Sequence, residues 1–246
     1  MANRWSTCVD KHPRNRIYDM AAMQQINRLN AQLPGTLGGK ELASEWNKRW
    51  TQKTQLRIRF LDGDPDVHKE VERQARTWEA HINLELVFGN TPDADIRISF
   101  EQEGYWSYVG IDARLVSDPE ATMNFGGWST IRSVDARELR RTVLHEFGHA
   151  FGCVHEHQAP DAGIPWDVEK VLSFYYLTQD WSAQETYTQV LHKYSRDLIR
   201  STAWDSTSIM QYPVESFLTT NGFSVPWNNE LSGKDIEFIK VMYPRD

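Results

Sequence analysis

The stretch LHEFGHAFGCVHEH, Leu144 to His157, places four histidines and two glutamates within fourteen residues of a 246-residue chain. His145 and His149 are four apart, so on a helix they lie about 40° apart on one face, one turn along the axis, and both imidazoles can reach one ion. Gly152 can adopt the left-handed conformation that ends a helix, after which the chain can double back and bring a third nitrogen from His155. Three neutral imidazoles with an open fourth position are a catalytic zinc arrangement, since structural sites are closed by four protein ligands. Glu146 is rotated about 100° from His145 and can stand beside the metal, where a carboxylate takes a proton from bound water and returns it to a leaving amine. The pattern points to metal-assisted amide hydrolysis with one Zn²⁺ as cofactor. The competing reading is a capped helix with surface histidines and no ion.

A helix must carry these residues. One is expected to begin near Asp135, with Glu138 as a capping partner and with Leu139, Val143, Phe147, Ala150 and Phe151 at helical spacing. A second amphipathic helix follows from Asp64 as N-cap, Pro65 at the first position, and Val67, Val71, Ala75, Trp78 and Ile82 on one face. The same cap accounts for DGDPD (Asp62 to Asp66) without calcium. Strands are read at LRIRF (Leu56 to Phe60), Asn83 to Phe88, Ala94 to Phe100, Tyr105 to Asp112 and Ala121 to Gly127. Beyond His157 the pattern is helical, at DVEKVLSFYYL, at SAQETYTQVLHKY with Ser182 and Glu185 as a capping box, and from Ser232 to Tyr243. Residues 1 to about 54 read as a weakly patterned helical leader. Strands confined to the first two thirds give an α+β architecture with a helical second lobe.

Composition removes several function classes. A net charge of -7, with no basic run, lacks the electrostatic footprint of nucleic-acid binding. No apolar stretch approaches the 18 residues or so of a membrane span, so no membrane partner is expected.

At this point the residues resemble a family. HEFGHAFGCVH matches the HExxHxxGxxH signature of the metzincin metallopeptidases, and DSTSIMQYP (Asp205 to Pro213) matches the Met-turn that accompanies it, with Met210 beneath the zinc site. Tyr212 resembles the switch tyrosine of the astacin-like branch, and Glu156 the residue after the third histidine that meets the mature N-terminus there. The resemblance covers roughly residues 50 to 246. It departs from astacins proper in having two cysteines and HQAPDAGIPWD after the third histidine.

The resemblance implies a two-lobed zinc protease with a twisted, mainly parallel five-stranded sheet, an antiparallel edge strand and two long helices. The expected organisation is a leader at 1–54 packed on one catalytic domain at 55–246, with lobes at 55–155 and 156–246. His145, His149 and His155 would hold Zn²⁺, Glu146 would move protons, and Tyr212 would stabilise the oxyanion. An extended substrate would add antiparallel to Ser107, Tyr108, Val109, Gly110 and Ile111. The implied function is endopeptidase cleavage of proteins or peptides; the chain is expected to act as a monomer and to be secreted, with an intracellular location as the alternative. The alternatives are a zinc-containing peptide-binding module and a latent form covered by the leader. A bridge between Cys8 and Cys153 is expected to tie the leader to the zinc loop, with two free thiols as the alternative. In a third reading Cys8 is an inhibitory thiolate on the zinc.

Overall fold

The structure is a computed structural model that describes residues 8–11, 46–128, 130–194 and 203–245. Six strands form one sheet: β1 (Cys8–Lys11), β2 (Gln55–Phe60), β3 (Glu85–Phe88), β4 (Ile96–Ser99), β5 (Tyr105–Tyr108) and β6 (Met123–Phe125), in the order β1-β5-β6-β4-β2-β3. All neighbouring pairs are parallel except β5 with β6.

Alternation explains β2. Leu56 and Ile58 point into the core, while Arg57 turns to Asp95 and Arg59 to Asp118. The fully buried β4 uses Ile96 and Ile98 on one face and Arg97 on the other, where the Arg97 guanidinium donates to the carbonyls of Ala94, Val116 and Glu120. That clamp fixes the loop between β5 and β6.

Helix α1 (Pro65–Glu79) connects β2 to the parallel β3. Its Asp64 cap accepts from the Asp66 amide, and Val67, Val71, Ala75 and Trp78 are buried as the spacing predicts. It packs against α2 (Ala136–Ala150), where the Trp78 indole donates to the Leu144 carbonyl at 3.1 Å. The C-terminal part holds α3 (Val168–Gln179), the short α4 (Ala183–Thr186) running into a π-helical turn at Tyr187–Leu191, and α5 (Gly233–Met242). The Ser182 and Glu185 capping box forms as expected. No helix among the described residues is long and apolar enough to cross a membrane.

Three expectations change. Cys8–Lys11 is a strand, not part of a helix, and most of the rest of the leader lies outside the described residues. The sheet gains a sixth strand, so the antiparallel β5 is not an edge: β1 lies along it, Cys8 opposite Tyr105 and Lys11 opposite Tyr108. The strand expected to run on to Asp112 stops at Tyr108, because Gly110 turns with φ +53° into a 3₁₀ helix at Gly110–Leu115. A β-carbon at Gly110 would lie 1.9 Å from the Lys48 carbonyl oxygen, so only glycine fits there.

Candidate active site

Three of the four histidines of the opening stretch, His145, His149 and His155, are positioned by α2 and by how it ends. Asp135 caps the helix through the amides of Arg137 and Glu138, and Leu139, Val143 and Phe147 press the apolar face into the core. His145, Glu146 and His149 are buried on the last turns. Gly152, with φ +98°, then reverses the chain. Its amide donates to the His149 carbonyl and that of Cys153 to the Gly148 carbonyl, a left-handed helix stop that delivers His155 beside the other two.

The ring nitrogens converge. His149 Nε2 lies 3.1 Å from His145 Nε2 and 3.2 Å from His155 Nε2. His145 Nδ1 donates to the Ile209 carbonyl at 2.7 Å, and His149 Nδ1 to the Cys153 carbonyl at 2.9 Å. Carbonyl oxygens only accept, so those two rings carry their proton on Nδ1 and turn the Nε2 lone pair toward each other. Burial, aided by neighbouring imidazoles, holds His145 and His155 well below the usual histidine range, keeping them neutral. Two nitrogens about 2.05 Å from a shared tetrahedral ion would be about 3.3 Å apart. The donor set therefore fits a divalent cation such as zinc, and it includes a fourth member. Cys8 Sγ belongs to the same cluster, all of whose donor atoms lie within 4.8 Å of one another.

The turn carrying Met210 closes the site from below. A β-carbon on Gly148 would lie 2.4 Å from Met210 Sδ, so the glycine inside the histidine motif is what lets the methionine seat against the helix. The Met210 carbonyl accepts from the Glu156 amide, and Glu156 Oε1 accepts from the Asp205 amide, joining the segment after His155 to the turn. Asp235, buried in the first turn of α5, accepts from Ser208 Oγ at 2.7 Å and from the Ile209 amide at 2.8 Å. The same Ile209 holds His145 through its carbonyl. Sequence reasoning missed Asp235, although Ser232 and Asp235 form a capping box that marked it.

Tyr212 is buried beside His155, ring centroids 4.3 Å apart, and its hydroxyl donates to the Cys8 carbonyl. His157, the fourth histidine of the opening stretch, is fully buried, stacks on Tyr212, and donates from Nε2 to the Gln189 carbonyl at 3.0 Å.

Two expectations fail. Cys8 and Cys153 are both thiols, with no bridge between them. Cys8 is drawn to the imidazoles, while Cys153 sits in the main core, where only its carbonyl meets His149 and where burial pushes its thiol well up. The segment Ser107 to Ile111 does not offer one continuous open edge, since Ser107 and Tyr108 pair with β1 and Gly110 and Ile111 are in the 3₁₀ helix.

The chain is similar to known proteins. Residues 42–243 match the family model for Astacin, a peptidase family. The chain is 26% identical over 125 residues to zinc metalloproteinase nas-36 of Brugia malayi, a match covering 50% of this chain and 19% of that protein. It thus spans about a fifth of the length of that curated relative. One solved structure of myroilysin superposes with a TM-score of 0.79 at 38% identity, covering 83% of this chain and 99% of that one. Another matches at 0.63 and 32%, covering 96% and 100%. The zinc-protease hatching enzyme of Oryzias latipes (Medaka fish) shares the fold at a TM-score of 0.52 and 15% identity, covering 83% of this chain and 98% of that one. With the family model spanning most of the chain and the histidine cluster in place, this chain belongs to the astacin family of peptidases.

Proposed function

We propose that the chain is a zinc-dependent endopeptidase. His145, His149 and His155 would hold the ion through Nε2. The observation that carries this reading is three imidazoles converging at 3.1–3.2 Å with Nδ1 of His145 and His149 committed to carbonyls. When bound, zinc polarises a carbonyl and makes water a nucleophile at neutral pH. Glu146, in the helix between two of these histidines, accepts the proton from water and passes it to the departing amine. Tyr212 donates its hydroxyl to the oxygen that gains charge at the cleaved carbonyl. Its substrates are proteins or peptides, and its place of action is outside the cell.

A second reading concerns the state of the molecule described here. Cys8 shares the donor cluster, its carbonyl occupies the Tyr212 hydroxyl, and β1 covers β5. We read this as a latent form in which the leader holds the three elements that a substrate needs. β1 runs parallel to β5, the reverse of a substrate adding antiparallel, so its own peptide bonds are presented in the wrong sense for cleavage.

The test is Glu146→Gln, measured for zinc content and for casein cleavage. Retained zinc with a loss of about 10²–10⁴ in turnover is expected; near-normal turnover would sink the mechanism. In the unsubstituted protein, chelation should abolish cleavage and zinc should restore it.

A further inference from the structure

The segment that follows the third histidine is gripped from the C-terminal part. His155 precedes a 3₁₀ turn at Glu156–Gln158, and the Gln158 amide donates to the His155 carbonyl at 3.2 Å. A turn closed over three residues brings the side chains at its two ends close together, here an imidazole and a carboxamide, both buried.

The sense of that carboxamide is fixed by its other end. Gln158 Nε2 donates to the carbonyls of Thr188 at 2.8 Å and His192 at 3.1 Å. Thr188 lies in the π-helical turn, and the last carbonyls of a helix have no helical amide to meet, so they take side-chain donors. Carbonyl oxygens only accept, so both amide protons of Gln158 point to this turn and its Oε1 points away from it. The turn is pinned on either side of the same contact. The Tyr194 amide donates to the Gln158 carbonyl at 2.9 Å, and Lys193 Nζ donates to the carbonyls of His157 and Ala162 at 2.6 and 2.7 Å.

His145 and His149 are each oriented by a carbonyl that accepts from Nδ1. For His155, burial and the imidazoles of His149, His157 and His145 oppose a proton on the ring, and the Gln158 side chain acts in the opposite direction. An acceptor facing the ring has that effect, whereas the amide donors are committed elsewhere.

We propose that Gln158 is the positioning residue of the third zinc ligand: its Oε1 accepts from His155 Nδ1, and the turn at Tyr187–Leu191 holds the carboxamide in that sense. The proposal rests on the zinc reading and deepens it, because it ties the metal site to carbonyls 30 and 34 residues further along the chain. An imidazole held this way keeps Nε2 aimed at the other two rings and is a more basic ligand.

Zinc affinity, measured on the full chain by competition with a chromophoric chelator, separates this role from mere support of the turn. Gln158→Met keeps the length of the side chain but removes acceptor and donors together, and should weaken zinc binding about 10- to 100-fold. Gln158→Glu gives up the donors to Thr188 and His192 but keeps an acceptor for His155, and should hold zinc within about threefold of the parent. Parent-like affinity in Gln158→Met, or an equal loss in both variants, overturns the proposal and leaves the zinc reading intact. Should the variants not fold, the parent decides. Loaded with zinc and carrying isotope-labelled histidine for NMR, it should show a His155 Nδ1 proton as well protected from solvent exchange as those of His145 and His149; a fast-exchanging one overturns the proposal. A parent that binds no zinc overturns both readings.

Discussion

The imidazole of His157 lies against the ring of Tyr212, centroids 4.3 Å apart and planes 27° from parallel. The same imidazole is anchored to the Gln189 carbonyl, so the π-helical turn and the tyrosine are linked through one side chain. Stacked aromatic pairs contribute about 0.5–1.5 kcal/mol, enough to hold a hydroxyl in one orientation. His157→Leu should lower kcat about three- to tenfold with little change in KM, and His157→Phe, which keeps a ring, should recover part of it. In a Tyr212→Phe background the substitution should cost less. Equal losses in both backgrounds would show that His157 does not act through the tyrosine.

Cys8 joins the three imidazoles, and its carbonyl takes the Tyr212 hydroxyl. Cys8→Ala in the full chain is expected to raise casein cleavage by about tenfold or more, equivalent to about 1.4 kcal/mol of lost latching. Zinc content should stay the same. Identical activity in the two proteins would remove the latch.

Gly148 and Met210 occupy space that neither could share with a β-carbon. Gly148→Ala forces Met210 to shift, a cost of about 1–3 kcal/mol, partly offset by about 1 kcal/mol of better helix propensity. The measurement is a thermodynamic cycle with Met210→Ala. The double variant should be less destabilised than the sum of the singles, because the smaller residue 210 accepts the new methyl group.

Asp235 ties α5 to the Met210 turn. Burial raises its carboxyl from the ordinary range to about 6, against donors at Ser208, Ile209 and Ser232 that favour the charged form. A carboxyl whose folded pKa is raised binds its proton more tightly in the fold, so its contribution to stability is fully present below about pH 4 and declines as pH rises to about 6. The stability advantage of the parent over Asp235→Asn should therefore shrink by about 2–3 kcal/mol between pH 4 and pH 6.5, followed by denaturant unfolding. A difference independent of pH would contradict the raised value. The substitution should also weaken zinc retention, since Ile209 carries the acceptor for His145.

Much of the site was legible because its determinants are local. A four-residue spacing puts His145 and His149 on one helical face whatever the rest of the chain does, and a left-handed glycine three residues later ends that helix. The caps at Asp64, Asp135 and Ser182 and the alternation in β2 are likewise fixed by neighbours in sequence. The membership of His157 in the site was not legible. A histidine next to a glutamate in a polar stretch gives no sign of the aromatic ring that will cover it.

Other contacts of the site join residues far apart in the chain. The Tyr212 hydroxyl and the Cys8 carbonyl are 204 residues apart in sequence, and no spacing rule connects them. Residue types alone allowed Cys8 to bridge Cys153, to remain a thiol, or to approach the ion. The pairing of β1 with β5 selected among these, because hydrogen bonding along the sheet sets where the cysteine stands. The seat of Met210 against Gly148 and the grip of Asp235 on Ser208 and Ile209 were decided in the same way, by packing between elements whose chain order does not specify their contacts.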